Sequence, residues 1–296
     1  MGIPPPKGQG PTPVGHRPSR IDIALMRLTL APWRWITAPR VSGLEHLPVD
    51  RPALLAGNHT LWAVLDSPLL LLAVFEARGV LPRTVGDHLH FRVPAWRTLV
   101  ERFGVVDGTP DTIRALMRAG EWVLVFPGGA REVFKRRGER YALLWGGRTG
   151  FARLAIEHGY PVVPVSLVGA EDVYDIVLDA DDLLSSPLGP LLRRIAPRSD
   201  VIPPVVHPLP RVERFYFHFG EPIETRHLTG RERDGRTCFA LREQVRQAIE
   251  AGIARLLLER ERDPDRALLA RLVAPRGGAA PSGTPAEAPR QRTGTA

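Results

Sequence analysis

Short apolar runs that stop abruptly at Gly or Pro, each followed by a stretch of helical period, constrain this chain more than any other feature, because alternating strand and helix signals specify an α/β architecture. Ala53-Leu54-Leu55-Ala56-Gly57 reads as a buried strand, followed by Asn58-His59 at a turn. A helix is expected from Pro68 onward, with Ser67 as its cap and Pro68 at the first helical position. Thr109-Pro110-Asp111 repeats that start signal for a helix through Met117, ended by Gly120. Glu121 to Phe126 is the next strand, stopped by Pro127-Gly128-Gly129. Arg148 to His158 reads as a helix with Gly159 past its end, then Pro161 to Val168 as a strand. Phe215 to Phe219 alternates into a late strand closed by Gly220-Glu221-Pro222. From Cys238 to Glu261 the chain is amphipathic, with Leu241, Val245, Ile249 and Ile253 on one helical face. Such a face packs on the core or lies on a bilayer, and core packing is the commoner outcome.

Residues 1–20 are rich in Pro and Gly, and residues 274–296 carry almost nothing that can be buried, so both read as disordered tails around an ordered region at 21–273. The lone Cys238 forms no intramolecular disulfide, the first residues lack the apolar stretch of a signal peptide, and the longest apolar run, Pro68 to Phe75, is far short of the roughly 20 residues that span a bilayer. A cytosol-facing location, with peripheral membrane attachment open, is the expectation. The 40 basic residues exceed the 32 acidic ones, giving a formal charge of +8, which suits an anionic partner. From Arg131 to Arg153, seven basic residues stand against two acidic ones. The basic run Lys135-Arg136-Arg137 either holds anionic groups or is a solvated loop.

Two loops follow predicted strands, where open α/β sheets place their functional groups. In residues 57–68, a His directly after a buried strand is fixed by the backbone and titrates near neutrality, which suits a general base. Asp66 is the local acid that could orient its ring. In residues 126–132, FPGGARE, the paired glycines admit a close ligand approach and leave N–H groups for an anion or oxyanion. Structural readings stand beside these: a buried structural His59, an Asp66 that caps the following helix, an ordinary tight turn at Gly128-Gly129. His88 and His90 would point the same way on a strand, but no nearby Cys or carboxylate completes a zinc sphere, so no metal is expected. Trp62, Trp96, Trp122 and Trp145 are not interleaved with basic residues and read as core or groove aromatics, not a nucleic-acid platform.

Taken in order, these blocks resemble the PlsC-like glycerolipid acyltransferase superfamily, whose first motif is a His with an Asp a few residues on and whose third is a Phe-Pro-(Glu/Gly)-Gly turn. Val41 to Pro48 resembles the segment before the first motif, Phe103 to Gly108 the second block, Pro161 to Val165 the fourth, and Phe219 to Ile223 the end of the catalytic domain. The resemblance covers about residues 40–225. It implies an α/β domain with a mixed, mainly parallel central sheet flanked by helices, glycerol-3-phosphate acyltransferase-like. The Gly-Gly form followed by Glu132 looks most like the branch of diacylglycerol acyltransferases and phytyl ester synthases, which implies a neutral acceptor alcohol.

The implied chemistry is acyl transfer from a thioester, acyl-CoA or acyl carrier protein, to a lipid hydroxyl at an anionic membrane surface, with no cofactor and no nucleic acid. His59 would be the base and Asp66 its orienting acid, while Asn58, Phe126, Pro127, Gly128, Gly129, Arg131 and Glu132 would contact substrate. The family spacing puts the acid five positions after the His, which is Val64 in this chain, whereas Asp66 is seven on. A helix over 59–66 would separate the pair by about 10 Å, so the dyad requires a non-helical turn. Alternatives are a lysophosphatidate acyltransferase, which needs an Arg such as Arg131 for the acceptor phosphate, and a non-catalytic anionic-lipid binder. The role of residues 170–211, as groove wall or membrane-facing lid, stays open.

Overall fold

The computed structural model describes residues 16–60, 66–196 and 202–273. Nine strands run in chain order as β1 (Arg40–Ser42), β2 (Leu54–Gly57), β3 (Arg83–Gly86), β4 (Val105–Asp107), β5 (Val123–Val125), β6 (Val162–Val168), β7 (Ile176–Leu178), β8 (Val205–Val206) and β9 (Tyr216–Phe219). The helices are α1 (Arg20–Thr37), α2 (Ser67–Arg78), α3 (Pro94–Arg102), α4 (Pro110–Arg118), α5 (Ala130–Val133), α6 (Gly150–His158), α7 (Ala180–Ser185), α8 (Gly189–Ile195), α9 (Gly235–Arg262) and α10 (Leu268–Val273). Of the two tails expected, only residues 16–20 lie within the described residues. There Ser19 and Asp22 form a capping box that starts α1.

Seven strands form one sheet in the order β1-β9-β6-β2-β5-β3-β4. Every neighbouring pair is parallel except β6–β9, so the sheet is mixed and mainly parallel. The four residues of β2 are all buried, as a central strand covered on both faces requires. Its side chains alternate between two cores: Leu54 and Ala56 join α4, α6 and α9, and Leu55 joins α1 and α2. Pro164 sits in β6 just before the register with β9, which begins at Val165, and its carbonyl still accepts from Gly220 N at 2.8 Å.

The helices follow the start and stop signals. Thr109 caps α4 through Thr112 N, and Gly159 ends α6 at φ 63°. The helix at Leu241, Val245, Ile249 and Ile253 packs on the core, all four being buried, and Ser166 on β6 donates to Ile249 O at 3.0 Å. Residues 88–91 form a 3-10 turn and not the strand on which His88 and His90 would align. His88 meets Asp107, and His90 Nδ1 accepts from Trp96 Nε1 at 3.0 Å, so the two rings serve separate local contacts. Trp122 and Trp145 are core residues; Trp62 lies outside the described residues.

Candidate active site at the ends of three parallel strands

Because β5, β2 and β6 are parallel and adjacent, their C-terminal ends open on one edge of the sheet. Gly57 ends β2 where a Cβ would press on Phe126, Leu167 and the Val165 carbonyl, each at 3.3 Å. Asn58, wholly buried, then ties itself to β6: its Nδ2 donates to Leu167 O at 3.0 Å and its Oδ1 accepts from Leu167 N at 2.8 Å. Both ends of the amide are used, so the expected substrate contact at Asn58 is instead a brace that fixes where His59 leaves the sheet. The His59 ring lies flat on Phe126, with centroids 4.2 Å apart and planes within 8°.

The glycine turn is shaped around one carboxylate. Gly129 adopts φ 53°, ψ −144°, a conformation open almost only to glycine, and its N–H closes the turn onto Phe126 O at 3.0 Å. The Glu132 side chain folds back over Gly128, where an added Cβ would lie 2.0 Å from Glu132 Cδ. Glu132 is fully buried and accepts from His59 N at 2.9 Å and Leu144 N at 2.7 Å. Both of its oxygens are thus engaged by backbone donors, and in this structure it braces the start of the His loop where the sequence suggested a substrate contact. Arg148 holds the turn from outside by donating to Pro127 O at 3.2 Å and to Gly128 O. With the Gly129 N–H spent, the N–H groups of Gly128, Ala130 and Arg131 make no backbone hydrogen bond among the described residues.

Burial pushes the basicity of His59 down to about 3, and the buried Lys135 ammonium and then His90 add to the effect. The ring is neutral at pH 7 and can accept a proton. Burial pushes Asp66 up to about 6. Asp66 occupies the position before α2 but makes no capping bond, and its Oδ2 is buried without a hydrogen-bond partner, as is His59 Nδ1. The expected direct dyad is not formed: the two side chains share no hydrogen bond or ion pair, because Asp66 is held where α2 begins. Residues 61–65 between them, including Val64, lie outside the described residues.

A family model described as Acyltransferase matches residues 38–168, which contain His59, Asp66 and the glycine turn. Phytyl ester synthase 1, chloroplastic, of Arabidopsis thaliana is 32% identical over 253 residues, covering 78% of this chain and 36% of the relative. An uncharacterized protein of Mycobacterium tuberculosis is 30% identical over 249 residues, covering 83% of this chain and 68% of the relative. The chain belongs to the acyltransferase family. It spans about a third of the length of the phytyl ester synthases it matches. Among solved structures, the 1-acyl-sn-glycerophosphate acyltransferase PlsC from Thermotoga maritima aligns over 80% of this chain and 79% of its own, with 16% identity and a TM-score of 0.47.

In this acyltransferase-family chain the basic run after the glycine turn is not a free anion patch. Lys135 is buried in an ion pair with Glu171 at 2.6 Å, and Glu171 also accepts from Tyr141 N at 2.6 Å. Arg136 pairs with Asp181, Arg137 with Asp179 and Asp182, and Arg140 with Asp172 and Asp175. Arg131 pairs with Glu139. The first part of the 170–211 segment is thus the acidic counterpart of the basic run and fastens it down.

Proposed function

We propose that this protein transfers a fatty acyl group from a thioester, acyl-CoA or acyl carrier protein, to the hydroxyl of a neutral lipid alcohol such as diacylglycerol or a long-chain alcohol. The observation that carries the reading is His59: neutral at pH 7, locked on Phe126, and held by its own N–H to the buried Glu132. With Nδ1 buried, Nε2 is the nitrogen that meets substrate. Nε2 takes the hydroxyl proton as the oxygen attacks the thioester carbonyl, the Gly128 N–H supports the oxyanion, and the C–S bond breaks as the proton passes to the departing thiolate. No acyl-enzyme forms. Asp66 acts at a distance, as the carboxylate that stabilises the imidazolium.

A neutral acceptor is favoured over lysophosphatidate because Arg131, Arg136, Arg137 and Arg140 already pair with carboxylates and Arg148 is engaged by the Pro127 and Gly128 carbonyls. The name of the phytyl ester synthase relatives points to the same class of acceptor. The protein works peripherally, on the cytoplasmic face of a membrane; no helix among the described residues is long and apolar enough to cross one.

The test offers labelled acyl-CoA and acyl carrier protein with diacylglycerol, a long-chain alcohol and lysophosphatidate to purified protein. One neutral alcohol is esterified, and His59→Ala lowers the rate by about 10²–10⁴-fold, the range for a lost general base. Equal turnover by His59→Ala removes His59 as base. Turnover on lysophosphatidate alone overturns the acceptor class, and no turnover on any pair leaves a lipid-binding role in its place.

A further inference from the structure

The chain from Gly169 to Arg214 links β6 to β9 and leaves the sheet at the same edge as His59, since β6 runs parallel to β2. Inside it, α8 is inverted with respect to an ordinary surface helix. Its inward residue is Gly189, buried so tightly that a Cβ would stand 2.1 Å from the Leu184 carbonyl of α7. Leucine and isoleucine stand among its outward residues, with Pro190, Arg193 and Arg194, while Leu192 is half-buried. Leu188, Leu191 and Ile195 fall at spacings of three and four, on one face, and are 60%, 54% and 71% exposed. A short helix that buries glycine and presents its aliphatic side chains to solvent has no reason in internal packing, and contiguous exposed apolar surface marks an interaction site.

Charge decides the partner. Arg136, Arg137, Arg140 and Arg211 around this segment each pair with a carboxylate. Arg193 and Arg194 are exposed and pair with none among the described residues, and Arg194 borders the apolar stripe. An apolar stripe beside cationic side chains matches the boundary between acyl chains and anionic headgroups. α8 is also mechanically joined to the site, because α7, on which it packs, carries Asp181 and Asp182, the partners of Arg136 and Arg137 just beyond the glycine turn. We propose that the face of α8 formed by Leu188, Leu191 and Ile195, bordered by Arg194, docks the protein on an anionic phospholipid bilayer with the His59 edge of the sheet turned toward the lipid. The inference rests on the reading above only in taking the acceptor from a membrane.

Flotation of the full chain with vesicles tests it without any turnover. Vesicles of phosphatidylcholine with 30% phosphatidylglycerol should bind the protein more tightly than phosphatidylcholine alone. Leu191→Ser/Ile195→Ser should weaken binding about tenfold or more to both, from the lost burial of two aliphatic side chains. Arg194→Gln should weaken binding to the anionic vesicles alone, by roughly fivefold, and flatten its salt dependence, whereas Arg193→Gln, on the opposite side of the helix, should change it less. All four side chains are exposed, so circular dichroism should match the parent. Unchanged flotation of Leu191→Ser/Ile195→Ser and Arg194→Gln overturns the proposal, as does a sedimentation shift from dimer to monomer in Leu191→Ser/Ile195→Ser without any vesicle binding by the parent, which would make α8 a self-association surface. Vesicle binding that follows these predictions in a protein that esterifies nothing leaves the docking surface standing and removes the acyl-transfer reading instead.

Discussion

Replacing Glu132 by Ala empties a site in which one carboxylate satisfies two buried N–H groups, those of His59 and Leu144. Each charge-assisted bond contributes roughly 1.5–3 kcal/mol, and the orphaned amides add their own desolvation cost. The burial that raises the Glu132 pKa offsets part of this gain, so a net loss of about 3 kcal/mol is expected. In a domain of this size that lowers Tm by about 6–12 °C. Glu132→Gln should cost less, because one oxygen survives while its NH2 faces an N–H donor. The kinetic signature is the discriminating part. If Glu132 only positions His59, kcat falls about 10²-fold through a small displacement of the base, and KM changes little. Gly128→Ala should reach the same state from the other side, since its Cβ takes the space of Glu132 Cδ. Urea unfolding and steady-state kinetics on the three variants check this. A KM raised tenfold with an unchanged urea midpoint would place Glu132 on the substrate and refute the positioning role.

The pH dependence follows from two buried groups. His59 stays neutral down to about 3, so kcat/KM should show no acid limb near 6.5; the limb should lie near 6, where Asp66 protonates, and vanish in Asp66→Asn with a lower plateau. Because the folded state raises Asp66 from 3.8 to about 6, its contribution to stability is present below 3.8 and lost as pH rises through about 6; Asp66→Asn should therefore gain on the parent in urea midpoint between pH 4 and pH 7. Lys135→Met should destabilise by about 3–5 kcal/mol by stranding the buried Glu171, and Lys135→Met/Glu171→Met should recover most of that; a double variant no more stable than the single one would remove the pair as the cause.

The sequence made the central strands legible because their apolar runs are continuous and end at Gly or Pro, and it located the site because both loops follow such runs. The short strands β3 and β4, of four and three residues at one end of the sheet, carry too little pattern to stand out, and α1 was hidden in a stretch adjoining a Pro-rich tail. Which way each loop residue points was not legible at all. Asn58 and Glu132 look like ligands because polar residues beside glycine turns usually face solvent; their true partners, Leu167 and Leu144, are backbone groups 109 and 12 residues away. The one advance signal was the Gly128-Gly129 pair, since one glycine is needed for the turn and the other makes room for Glu132.

The charge shows the same limit more sharply. Counted along the chain, Arg131 to Arg153 is a cationic patch beside the site, and counting would assign it the donor's phosphates. In space it faces Glu171, Asp172, Asp175, Asp179, Asp181 and Asp182, whose side chains take up Lys135, Arg136, Arg137 and Arg140. These are pairings across 32–45 residues that no local window contains. The consequence is chemical. Lys135, Arg136, Arg137 and Arg140 are taken up by carboxylates and Arg148 by two carbonyls of the turn, so on the proposed reading shape and apolar contact carry more of the acceptor selection than charge does. Arg194 on α8, exposed and paired with no carboxylate among the described residues, can draw the protein to an anionic surface without competing for its substrate.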